Sequence, residues 1–197
     1  MVSAVNATVC ARLVSAVISG ITCVEQESEA LLRSAGLSDI DLTDSDLRVP
    51  ARQVAQLWQE AVHATGNRHI GFLAGARIRS GMFGVVDYAA RCGTTLHEFF
   101  VRLTRYRRLI ADGLDLRLLQ RGEQVRMAFD IALDSTEARR QMNEFFAAAT
   151  LALGRDATGV HWKPERLAFR HSPVGDDTAF KTWFGTELSY REPTSSM

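Results

Sequence analysis

Net charge is what this chain most plainly lacks. Its 23 basic and 23 acidic side chains cancel, whereas a module that grips nucleic acid by itself carries a basic excess to meet phosphates. Lysine is almost missing, with only Lys163 and Lys181. The three cysteines, Cys10, Cys23 and Cys92, form neither a CxxC pair nor a dense disulfide framework. Their odd number suits free thiols in a reducing compartment. No run approaches the roughly 20 apolar residues that span a bilayer. The opening MVSAVNATVCARLVSAVISG has no basic n-region and is broken by Asn6 and Arg12, so it reads as an amphipathic helix and not a secretory signal. A cytoplasmic protein without membrane contact is the expectation. Compact catalytic motifs are missing too. The glycines between Gly71 and Gly93 form no Gly-x-Gly-x-x-Gly or Walker pattern, and there is no HExxH and no GxSxG. An enzyme would have to assemble a remote constellation, so neither catalysis nor a cofactor is expected.

What is present is enough apolar material for a core: 46% hydrophobic residues in a chain of 197. Helical spacing predicts a helix over 7–19 with a stop at Gly20, a second over 24–35 capped by Gly36, and a third entered through Pro50 and carrying Val54, Leu57, Trp58, Ala61 and Val62. Two short helices are expected near 69–75 and 82–90. Thr95 and Glu98 have capping-box spacing, and the helix they open places Leu96, Phe99, Phe100, Leu103, Tyr106 and Ile110 on one band. Arg102, Arg105 and Arg108 lie mostly opposite. They read either as an anion-binding patch or, with more weight, as a solvated face.

At Leu114 the period changes to two. Leu114, Leu116 and Leu118, then Val125, Met127 and Phe129, alternate with polar residues across Arg121-Gly122-Glu123, which predicts a β-hairpin within 114–130. Asp134 and Glu137 suit the start of a helix over 136–153, ended by Gly154. A strand at 166–170, a short helix at 177–184 and a strand at 188–190 complete the pattern, with a frayed terminus from Pro193. Helices first and strands later give an α+β domain, its N-terminal helices packed on a small antiparallel sheet.

Candidate chemistry is sparse. Of His63, His69, His97, His161 and His171, the pair His161 and His171 could approach one another only if the intervening chain turns back, and zinc there is the less favoured reading. Asp176 and Asp177 read as a cap on the following helix in preference to a metal site. Cys92 reads as a small buried residue in preference to a reactive thiol. His171 and Pro173 are expected to fix a turn, and a carboxylate near a buried His171 would make it pH-sensitive. The aromatics Trp58, Phe83, Tyr88, Phe99, Tyr106, Phe129 and Phe145 are the candidates to line an apolar pocket between helices and sheet.

The ordered pattern LLRSAGL, DLRVPARQVAQLWQEAVHATGN, HIGFLAGARIRSGMFGVVDYAARCGTTLHEFFVRLTRYRRLIADG and RLAFRHSPVGDDTAFKTWFGTELSY resembles the arabinose-binding-like N-terminal domain of AraC-type bacterial transcriptional regulators. Phe169, His171, Pro173, Phe180, Phe184, Gly185 and Tyr190 stand at matching positions of the tail. The chain departs from the pattern in having only Pro164 ahead of Phe169, and Tyr190 where phenylalanine is common. The likeness covers roughly residues 9–192 and is diffuse.

It implies a sensing and dimerising domain at 1–192, a tail at 193–197, and control of a C-terminal helix-turn-helix domain that the chain does not include. DNA would be reached only through that domain. A homodimer and an unidentified small-molecule effector, apolar or amphipathic, are the expected partners. A ligand-free homodimerisation module and a small-molecule enzyme are the alternatives.

Overall fold

A computed structural model describes residues 7–22, 25–44 and 46–197. The thiol of Cys23 and the expected helix start at Val24 lie outside them. The expected α+β class is what the chain adopts. A short strand β1 (Thr8–Cys10) leads into helix α1 (Ala11–Ile21), followed by α2 (Glu25–Ser34), β2 (Arg48–Pro50), α3 (Ala51–Thr65), α4 (Ile70–Ala76), α5 (Val85–Arg91) and α6 (Leu96–Ile110). The hairpin β3 (Leu114–Arg121) and β4 (Gln124–Ile131) precedes the long α7 (Thr136–Thr158). The chain closes with β5 (Leu167–Ala168), α8 (Thr178–Phe184), β6 (Leu188–Ser189) and β7 (Ser195–Ser196).

Helix α7 is the axis of the core. Fourteen of its 23 residues are buried, including the charged Arg140 and Glu144. It starts at Ser135, whose hydroxyl accepts the Ala138 N–H. The expected cap pair of Asp134 and Glu137 is therefore corrected: Glu137 turns its carboxylate to Arg140 and Gln141 instead. Gly154 does not end the helix. It sits in the interior, where Trp162 packs against its bare Cα, and the helix runs on to Gly159, which takes the left-handed backbone (φ 65°) that glycine adopts cheaply. Gly20 likewise lies inside α1, where a side chain would collide with Ala74 of α4.

Helix α4 is apolar on all sides and is sandwiched between α1 and α7, the arrangement an all-round apolar helix requires. Helix α6 follows its expected band, with Phe99, Phe100, Leu103 and Ile110 buried, and Thr95 accepts the Glu98 N–H as predicted. Arg105 and Arg108 are exposed, as a solvated face would have them.

The sheet order is β3-β4-β7-β5-β6. All neighbours are antiparallel except β5 and β6. The hairpin register pairs Leu116 with Phe129 and turns at Gly122–Glu123. The frayed terminus expected from Pro193 is corrected by β7. Ser195 and Ser196 are buried and pair with Phe129 and Ala128 on one side, and Ser196 pairs with Ala168 on the other. Short polar residues carry no hydrophobic signal, yet their backbone fills the gap between β4 and β5. A second, two-stranded sheet of β1 and β2 also differs from the single helix expected over 7–19. Among the described residues no helix is long and apolar enough to cross a membrane.

Candidate functional site

A narrow apolar cavity, with room for water-sized spheres of about 40 Å³, opens between α5, α6, the root of the hairpin and α7. Helix α7 supplies one wall with Met142, Phe145, Phe146, Ala149 and Leu153, whose spacing puts them on one face. Leu103 and Ile110 of α6 face them, with Val86 and Ala90 of α5 at one side and Leu114 and Ile131 at the floor. Only Asp87, Asn143 and Thr150 among the lining residues are polar.

Each polar residue has a defined role in the wall. Asp87 is buried, accepts from the Arg91 Nε at 3.0 Å, and takes the Gly81 N–H with its other oxygen. That carboxylate ties the glycine-flanked turn before α5 to the helix. Asn143 donates from Nδ2 to Asp130 at 3.1 Å, and Asp130 is held in turn by Arg170 at 2.9 Å. Thr150 belongs to the lining, and its hydroxyl has no hydrogen-bond partner among the described residues.

The cavity gathers Phe83, Phe99 and Phe145 from the aromatic candidates. Trp58 lies behind the wall, its ring 5.8 Å from that of Phe145. Phe129 sits under the sheet against Phe146 and Phe169. Tyr106 is half-buried with Arg105 over its ring, outside the lining. Tyr88 is 66% exposed and points away from the core. Sequence reasoning passed over aliphatic and aromatic lining residues such as Leu103, Ile110, Met142, Phe146 and Leu153, and the small or polar Asp87, Asn143, Ala149 and Thr150. Asn143 and Thr150 share a face with Met142, Phe146 and Leu153, which periodicity could have shown.

A second constellation lies on the opposite face of α7. Glu144 is buried, and its carboxylate accepts from Arg140 at 2.8 Å. His69 Nδ1 approaches it at 3.5 Å and His171 Nε2 at 3.6 Å. Arg140 also bridges to Glu137, and Gln141 links Glu137, the Arg68 carbonyl and the Gly71 N–H. The i, i+4 spacing of Arg140 and Glu144 carried this pairing in the sequence; the two histidines did not.

The His171 ring packs tilted against both Phe169 and Tyr190, and its Nδ1 meets the Ser172 carbonyl at 2.9 Å. Burial lowers its pKa below the ordinary histidine value, against the opposing pull of Ser172 and Glu144. Tyr190 donates to Asp177 at 3.0 Å, and burial raises its pKa.

Pro173 is exposed in the turn, which continues through Gly175 (φ 62°). Asp176 accepts the Thr178 N–H at 2.9 Å and so caps α8, while Asp177 makes no side-chain cap bond. His161 is exposed and does not join His171. Cys92 is exposed, not buried as expected. Among the described residues no group of His, Cys, Asp and Glu has the arrangement of a metal site.

A family model described as the arabinose-binding domain of AraC transcription regulators, N-terminal, matches residues 27–197. Among solved structures, the crystal structure of the transcriptional regulator CdpR from Pseudomonas aeruginosa is similar, with a TM-score of 0.58 and 16% identity. The match covers 89% of this chain and 55% of that one, so the chain spans about half the length of that regulator. At this identity the likeness concerns the fold alone. No curated protein matches the chain.

Proposed function

Since the chain belongs to the family of arabinose-binding N-terminal domains of AraC transcription regulators, we propose that it senses a small molecule, forms a homodimer and controls a helix-turn-helix DNA-binding domain of a cytoplasmic regulator. The observation that carries the sensing role is the apolar cavity between α5, α6 and α7. Small-molecule sites are concave and mostly apolar with a few polar groups; this cavity has that lining, and with about 40 Å³ of enclosed room it admits an effector by the parting of α5 and α6 from α7. Its walls belong to separate elements, so a ligand seated there bears on α5, α6, α7 and the hairpin together. It would shift the regulator between states only through different affinities for them. The lining makes the effector predominantly apolar.

The dimer contact falls on α6 in this reading. Helix α7 spends most of its surface in the core, whereas α6 keeps Val101, Arg105, Arg108 and Leu109 exposed. The ligand-free assembly alternative has less in its favour, because a pure assembly module has no need of an interior cavity.

Native mass spectrometry of the purified protein, followed by denaturing release, tests both parts. A dimer carrying a defined small molecule is expected. A monomer at micromolar concentration overturns the dimer role for this domain. A protein whose apolar ligands bind equally well after the cavity is filled overturns the sensing site.

A further inference from the structure

Resting on that sensing role, we infer that the cavity takes an uncharged, largely hydrocarbon or aromatic molecule bearing a hydrogen-bond donor, and discriminates against anions and polyols. No Lys, Arg or His lines the cavity, and its one charged lining residue is the carboxylate of Asp87. Both oxygens of Asp87 are already engaged, by Arg91 and by the Gly81 N–H, so Arg91 is not free to meet a ligand anion. A carboxylate, sulfonate or phosphate buried here would lose its water and gain no counter-ion, which is the costly case for a buried charge.

Polyols meet the other half of the argument. Each buried hydroxyl needs a partner, or its desolvation is uncompensated. The only neutral polar residues of the lining are Thr150 and Asn143, and the Asn143 Nδ2 is committed to Asp130. These two groups are seven residues apart on α7, about 10 Å along the helix axis. A sugar presents several hydroxyls around a compact ring and cannot satisfy them at two such distant points. A flat or elongated lipophile with one N–H or O–H can place it at either point and spread its apolar body over Phe145, Phe146 and Leu153.

The test uses a matched pair of fluorescent probes with one skeleton. N-phenyl-1-naphthylamine is neutral and carries one N–H; 8-anilino-1-naphthalenesulfonate adds an anionic group. Titration of the purified protein is expected to give saturable binding of the neutral probe and at least about tenfold weaker binding of the sulfonate, from its unpaired buried charge. L-Arabinose at millimolar concentration is expected to leave the neutral probe bound.

Filling the cavity with Ala149→Trp, or from the opposite wall with Leu103→Trp, removes neutral-probe binding in whichever variant keeps a cooperative thermal transition. Equal or tighter binding of the sulfonate, lost on filling, overturns the charge selectivity while the sensing site stands. Displacement by arabinose overturns the exclusion of polyols in the same way. Neutral-probe binding that is absent, or that survives in a folded filled variant, removes the site itself and with it the sensing role.

Discussion

Alanine at Gly71 should destabilise the protein even though alanine is the better helix former. A Cβ there would lie 2.7 Å from the carbonyl carbon of Gln141 and 2.8 Å from its Cα, backbone atoms of α7 that cannot turn aside. Reaching ordinary contact requires α4 and α7 to part by roughly 1 Å, forfeiting dispersion along their whole seam. Overpacking of this kind costs about 1–3 kcal/mol. Separation also weakens the bond from the Gly71 N–H to Gln141 Oε1, 2.7 Å long, worth about 1 kcal/mol. The helix-propensity gain of about 1 kcal/mol offsets part of this. The net loss is about 2 kcal/mol, or roughly 4–8 °C in Tm for a domain of this size.

Gly154→Ala is the control. It too lies within a helix, but its Cβ would meet the Trp162 ring at 2.9 Å, a half-buried side chain that can move. The same helix-propensity gain of about 1 kcal/mol offsets the cost of shifting that ring, so the net change should stay within about 1 kcal/mol of zero. Thermal unfolding followed by circular dichroism, with urea denaturation alongside, measures both. A Gly71→Ala protein as stable as the parent, or a Gly154→Ala protein equally damaged, would refute the claim that backbone proximity at the α4–α7 seam governs the difference.

Arg140→Met leaves Glu144 buried without its strongest partner and should cost about 3–5 kcal/mol in urea unfolding; a loss below 1 kcal/mol would show that the carboxylate is not held by that pair. His171 has a folded pKa lowered by burial, so the unfolded chain takes up its proton first. Stability is at its full value above about pH 6.5, the ordinary histidine value, and declines as pH falls from there through the folded pKa. His171→Gln should flatten this part of the decline, and an unchanged pH profile of Tm would remove His171 as its source. Deleting residues 194–197 takes β7 out of the middle of the sheet and unpairs β4 from β5. The shortened protein should lose its cooperative transition or aggregate, whereas a truly loose tail could be removed with no change in Tm.

By itself the sequence determined those features whose causes are local. Phe99, Phe100 and Leu103 recur at helical spacing because one side of α6 faces the core; Thr95 and Glu98 meet because capping joins residues three apart; Leu116 and Phe129 alternate with polar neighbours because one strand face is wet. In the cavity, Phe83, Phe99 and Phe145 were legible as bulky aromatics, but bulk does not say which side of the core a ring occupies. Trp58 and Phe129 are equally apolar and pack elsewhere.

The tertiary structure alone decided the rest. β7 is a strand because unpaired backbone groups of β4 and β5 require a partner, a need that Ser195 and Ser196 meet without any side-chain signal. Glu144 gathers His69 and His171 from positions 75 residues before and 27 after it because three segments converge on one face of α7. The cavity exists because α5, α6 and α7 meet with small Ala149 between their larger neighbours. Periodicity and capping act over a few residues of one chain segment, whereas a cavity or a buried ion cluster is set by which faces of distant segments come into contact.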